Sequence, residues 1–190
     1  MFLWTSKDLT TVVIFAVLGL VYTLFVAQIA PLTGIRGAGY LFIVGHVIFI
    51  SAQLLLYYGG RWRFLFSTIL FVLLTLPTYF IGPPYDILAR VPLVVTAIFG
   101  DMLFNSIYGF FKTHNKLLLL SIMFSLIFHP INQIFTILYY LLYAPQALSG
   151  FLSLMSFMLP IIIIESIVGG HLGYKIFERV KVFHSAVNPS

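Results

Sequence analysis

Six apolar stretches, each about 17 to 27 residues long and separated only by short polar breaks, dominate this 190-residue chain and leave no room for anything else. A helix needs about 20 apolar residues to cross a hydrocarbon core of about 30 Å, so the pattern predicts an all-α membrane protein. The predicted spans are Leu9 to Ala30, Tyr40 to Tyr58, Phe64 to Phe80, Asp86 to Phe111, Leu117 to Tyr143 and Phe151 to Phe177. Proline and glycine punctuate them: Pro31–Gly34 closes the first, Gly59-Gly60 the second and Gly82-Pro83-Pro84 the third. Hydrophobic residues make up 61% of the chain and charged residues 8%, about a third of the usual share, which excludes a water-soluble globule. Residues 1–190 therefore read as one compact six-helix bundle, with the bilayer as its solvent.

Charge decides the expected direction. Lys7, Arg61, Arg63, Lys112, Lys116, Lys175, Arg179 and Lys181 flank one side of the predicted bundle, and Arg36 and Arg90 flank the other. Positive residues gather on the cytoplasmic side, so both termini are expected there. The net charge of +5 is thus a topology signal, and no nucleic-acid partner is expected. The first span is too long for a signal-peptide core and is expected to be retained. Cysteine is absent, which removes thiolate metal sites and cysteine nucleophiles. No phosphate-binding loop, dinucleotide fingerprint, HExxH or GxSxG is present, so neither ATP hydrolysis nor standard hydrolase chemistry is expected.

Ionisable residues inside a bilayer are costly, and each is a functional candidate. Counting helical rise, Asp101 and Glu165 fall about 15 Å from the cytoplasmic side, and His46 and His129 about 18 Å. Two histidines and two carboxylates at one depth are compatible with a metal site, a proton relay or a polar ligand pocket. Asn105 follows Asp101 at i+4, Asn132 and Gln133 follow His129 at i+3 and i+4, and Gln53 follows His46 at i+7. Such stripes also arise from interhelical hydrogen bonds that only hold a bundle together. On the other side, Asp86 and Arg90 are spaced to neutralise each other on one helical face, while Arg36 has no local partner. Tyr40, Tyr79, Tyr85, Tyr139, Tyr140 and Tyr143 fit either ligand stacking or an interfacial aromatic belt. In the first span Gly19, Thr23 and Ala27, with Ala16 beside them, form a small-residue strip suited to close helix approach, inside the bundle or against a partner.

The size, the six spans, the opening Trp4-Thr5-Ser6-Lys7-Asp8-Leu9 and the closing Leu159-Pro160…Glu165-Ser166-Ile167-Val168-Gly169-Gly170 with its basic end resemble the substrate-binding membrane subunits, or S components, of energy-coupling factor (ECF) vitamin transporters. The resemblance implies a multi-pass protein of a prokaryotic cell membrane that captures a vitamin or related micronutrient from outside. It implies partners as well: a transmembrane coupling subunit and two ATPase subunits, which supply the energy this chain has no motif to provide. In such proteins a small-residue face of the first helix docks the coupling subunit, which maps onto Ala16, Gly19, Thr23 and Ala27. The pocket lies toward the outer side, and the matching positions are Arg36, Tyr85, Asp86, Arg90, Asn132, Gln133, Tyr139 and Tyr140, with Asp101, His129 and Glu165 as its floor. Carboxylates, a histidine, an asparagine and stacking aromatics resemble a thiamine-type site; Arg36 and Arg90 argue for an anionic vitamin instead. The competing expectation is an intramembrane metal site or metalloenzyme built on His46, Asp101, His129 and Glu165.

Overall fold

The computed structural model describes residues 4–34, 42–57 and 62–187, and among them it contains helices and connecting turns without a strand. Seven α-helices follow one another: α1 (Ser6–Ala27), α2 (Ile29–Thr33), α3 (Val44–Leu56), α4 (Arg63–Thr75), α5 (Val91–Thr113), α6 (Leu117–Tyr143) and α7 (Pro145–Val187). A short 3-10 turn, Leu88–Arg90, leads into α5.

The six predicted apolar stretches each nucleate a helix, but the helices are not equivalent. Four segments, Asp8–Thr33, Leu88–Thr113, Leu117–Tyr143 and Pro145–Lys181, are long and apolar enough to cross a membrane. Helices α3 and α4 have 13 residues each, only about 20 Å of rise against a core of about 30 Å. The expected third span to Phe80 stops at Thr75, because Pro77 offers no N–H to continue the ladder and the chain turns irregularly to residue 87. Conversely, the expected sixth span from Phe151 lengthens to Pro145–Val187 and runs through Pro160.

Local chemistry explains how α1 starts. Thr5 is its N-cap, with the side chain accepting from the Asp8 N–H and the Asp8 carboxylate accepting from the Thr5 N–H at 2.9 Å. The same carboxylate pairs with Arg63 at 2.9 Å, so the N-terminal ends of α1 and α4 are tied at one end of the bundle. Trp4 packs edge-on against Phe66 across the same junction, with centroids 5.0 Å apart.

Close packing is concentrated where α7 crosses α3 and α6. Gly169 and Gly173 lie one turn apart against α3, so near that an added Cβ would stand 2.6 Å from Val47 Cβ and 2.6 Å from Ser51 Cβ respectively. Gly170 faces α6, where a Cβ would meet the Ile122 Cα at 2.9 Å. Small residues let backbones approach where lipid gives helices no hydrophobic reason to associate. Buried hydroxyls use that closeness: Ser51 and Ser125 join α3 to α6 at 2.8 Å, and Ser121 donates to the Gly170 carbonyl at 2.7 Å. The core beside this seam is aromatic, with Phe64, Phe104, Phe124 and Phe128 buried together.

Candidate functional site: an interior cavity

A cavity of about 690 Å³ lies between α1, α3, α4, α5 and α6, reached at one end by the 80–83 turn and the start of α7. Its wall on α6 runs from Phe128 to Ala144, about 24 Å of helical rise. One end is bounded by Phe15, Gln53 and Phe64, the other by Pro83, Tyr140 and Phe151. Pro130 sits within the α6 wall and deprives the Leu126 carbonyl of its helical donor, a local weakening of the ladder beside the cavity.

The polar groups on this wall come from four helices, with Ser67 and Thr68 on α4. His129, Asn132, Gln133 and Thr136 form one stripe on α6, His46 and Gln53 lie on α3, and Thr23 lies on α1. The Thr23 hydroxyl lies 2.8 Å from the Gly19 carbonyl and 2.8 Å from His46 Nε2. With the Thr23 proton on the Gly19 carbonyl, His46 donates through Nε2 and Nδ1 is an acceptor; with it on Nε2, the roles of the two ring nitrogens exchange. Edge-on contacts with Tyr22 at 4.9 Å and Phe71 at 6.4 Å fix the ring. Thr96 gives its single hydroxyl proton to the Pro92 carbonyl at 2.7 Å, and the Asn132 side-chain amide lies 3.3 Å from the Thr96 oxygen. Gln53 is 4% exposed, and its side-chain amide lies beside the Tyr57 hydroxyl one turn on. His129 contacts the Phe128 ring edge-on at 5.8 Å; no protein group among the described residues bonds its nitrogens or the Gln133 amide.

The two membrane-depth carboxylates lie elsewhere, each at the N-terminus of a short helix. Helix α4 begins after Trp62, whose φ of 71° places it in the left-handed region without a side-chain cap of its own. Asp101 supplies that cap from α5, accepting the Leu65 N–H at 2.9 Å and a bond from Asn105 at 3.2 Å. A carboxylate at a helix N-terminus meets free N–H groups and the positive end of the macrodipole, which explains an acid at this depth without a counter-cation. Glu165 does the same for α3: the Ile43 and Val44 N–H groups bond to it, while its Oε2 is buried and unpaired. Asp101 borders a separate hollow of about 280 Å³ with Trp62, Met102, Asn105 and Ser106. The expected quartet of His46, Asp101, His129 and Glu165 is therefore split, with the histidines on the cavity and the acids on helix ends. Among the described residues no three His, Asp or Glu side chains gather closely enough to hold a metal ion.

The remaining expectations divide. Asn132, Gln133, His129, Tyr139 and Tyr140 line the cavity. Arg90 does not; it is fully buried and donates to the carbonyls of Thr75, Leu76, Thr78, Pro83 and Asp86 at 2.7 to 3.3 Å, clamping the turn that bounds the cavity. The expected Asp86–Arg90 neutralisation gives way to this arrangement: Arg90 takes the Asp86 backbone carbonyl, and the Asp86 carboxylate accepts from the Ala89 N–H at 3.1 Å and the Tyr139 hydroxyl at 3.2 Å. Tyr85 points away, 72% exposed at a φ of 61°. Arg36 and Tyr40 lie outside the described residues. Ala16, Gly19, Thr23 and Ala27 line the cavity, so the small-residue strip faces the interior, and the exposed face of α1 carries Leu9, Val13, Val17, Val21 and Phe25.

Sequence reasoning missed Ser67, Thr68 and Thr136 on the wall, and the aromatic lining of Phe15, Phe49, Phe71 and Phe80. Thr136 was within reach, since it extends the 129, 132, 133 stripe by one further turn. The phenylalanines carry no such signal among the 20 in the chain. Comparison with family models, with curated proteins and with solved structures finds no match to this chain.

Proposed function

We propose that this chain is the membrane-embedded, substrate-binding subunit of a micronutrient importer, an S component of the energy-coupling factor type. In this reading it captures a vitamin-like molecule from the outer side and depends on a coupling subunit and two ATPases for uptake. The observation that carries the proposal is the cavity: about 690 Å³, within the range of small-molecule sites, with the half-buried polar side chains of His129, Asn132 and Gln133 on walls that are largely apolar and aromatic. A few convergent polar groups on such a wall fix the orientation of a bound small molecule. The resemblance in the opening and closing segments supports the importer reading, and so does the absence of any nucleotide-binding motif in the sequence.

In the same proposal all six apolar segments cross the bilayer, α3 and α4 with help from flanking residues, and both termini are cytoplasmic. Because the chain has no cysteine, single cysteines report sidedness cleanly. Cysteine at Lys116 or Arg179 is expected to react with an impermeant maleimide only in inverted vesicles, and cysteine at Pro84 only in right-side-out cells.

Native mass spectrometry of gently purified protein tests the function. One organic molecule per chain is the expected result. A chain that remains empty after purification from nutrient-replete cells, and that binds no vitamin in a screen, refutes it.

A further inference from the structure

The described cavity wall contains no Asp, Glu, Lys or Arg side chain. The charges around it turn to other groups: Arg90 to five carbonyls, Asp101 to the N-terminus of α4, Asp86 to Ala89 and Tyr139, and Glu165 to the N-terminus of α3, with its Oε2 unpaired among the described residues. An ionised ligand group placed against the described wall would find no side chain of opposite charge lining it, and a desolvated ion without one is costly.

Resting on the binding-subunit reading above, we infer that the ligand is an uncharged, planar heterocycle with both hydrogen-bond donors and acceptors along its edge. The wall supplies both complements. The Asn132 and Gln133 amides each offer both a donor and an acceptor, and the His46 and His129 rings each offer one of either kind. The faces are apolar and aromatic: Phe49, Phe71 and Phe128 line the same space, and flat rings pack on them in offset or edge-on geometry. A pyrimidinone or pteridine-like ring has this edge and this neutrality. A thiamine-type cation and a carboxylate-bearing vitamin each lack a partner on the wall.

Isothermal titration of the ligand-stripped, detergent-solubilised full chain with three probes tests this. Lumichrome is an uncharged three-ring pyrimidinone, thiamine a cation and biotin a carboxylate. Lumichrome is expected to bind at one per chain, at least tenfold tighter than either charged probe. Gln133→Leu is expected to weaken lumichrome at least tenfold without lowering the melting temperature of the empty protein, since Gln133 has no protein partner to lose. Gln133→Glu places a carboxylate on the neutral wall and is expected to shift the preference toward thiamine by a similar factor. Thiamine or biotin binding as tightly as lumichrome to the unaltered chain overturns the inference and leaves the binding-subunit reading intact. Binding of none of the three overturns the inference as well, while the function reading is then decided separately by the native mass spectrum. Unchanged lumichrome affinity in both Gln133 variants also overturns it.

Discussion

Arg90 is the residue whose loss the structure prices most clearly. Its guanidinium reaches five backbone carbonyls in the turn between α4 and α5, at distances of 2.7 to 3.3 Å, and is fully buried. Replacement by Met keeps the stem and removes every donor. Each carbonyl left dry costs about 1–3 kcal/mol, but Pro83 and Asp86 lie in an irregular turn that water can enter, and removing a buried cation relieves its desolvation. The net loss falls at about 3–5 kcal/mol, the range for breaking a buried charged network from one side. At about 2–4 °C per kcal/mol for a chain of this size, the melting temperature of Arg90→Met falls by about 6–20 °C. Thermal unfolding in detergent, followed by circular dichroism, measures it. Arg90→Lys, with three donors in place of a planar fork, recovers at most three of the five bonds and falls about midway. Since the clamped turn carries Phe80 to Pro83 of the cavity wall, both variants also lose affinity for the bound molecule. A loss below about 1 kcal/mol for Met, or a lysine variant as stable as the parent, refutes the clamp.

Other consequences are as direct. Asp101→Leu removes the trans cap of α4 and lowers stability by about 1–2 kcal/mol, with Asp101→Asn losing less because an amide oxygen still accepts the Leu65 N–H; chemical denaturation of the two variants side by side checks the order. Gly170→Ala pushes a methyl against the α6 backbone at Ile122 and costs about 1–3 kcal/mol, whereas Gly109→Ala, with open space around it, is neutral or mildly stabilising; melting temperatures distinguish them. Thr23→Val takes the hydrogen-bond partner from His46 Nε2 and costs about 1 kcal/mol, with a larger proportional loss in ligand affinity as the ring becomes free to turn; thermal unfolding and ligand titration of the same variant read the two effects.

The aromatic and glycine positions show where a one-dimensional reading ends. The stripe at residues 129, 132 and 133 was legible because helical spacing puts those side chains on one face whatever the neighbours are. The placement of Asp101 and Glu165 was not, because depth in the membrane is one coordinate and the question turned on two others. An acid at mid-depth looks alike in a sequence whether it meets a ligand or the N–H groups of a neighbouring helix. The small-residue strip on α1 likewise showed that close approach occurs there, while its inward direction follows from which helices flank α1. The tighter glycine seam of α7, with Gly169 and Gly173 against α3 and Gly170 against α6, carried no mark of its role in the sequence.

Hydropathy and punctuation, then, determined by themselves that this chain is helical, roughly where its helices lie, and that it is apolar enough for a membrane. Those follow from backbone hydrogen bonding in hydrocarbon, which permits little else. Only the tertiary structure decided that two of the six predicted spans form helices of 13 residues, that acids from α5 and α7 cap them, and that Arg90 bonds to carbonyls. The described wall therefore holds histidines and amides without an Asp, Glu, Lys or Arg, because Arg90, Asp101 and Glu165 turn to the nearest oriented backbone groups instead.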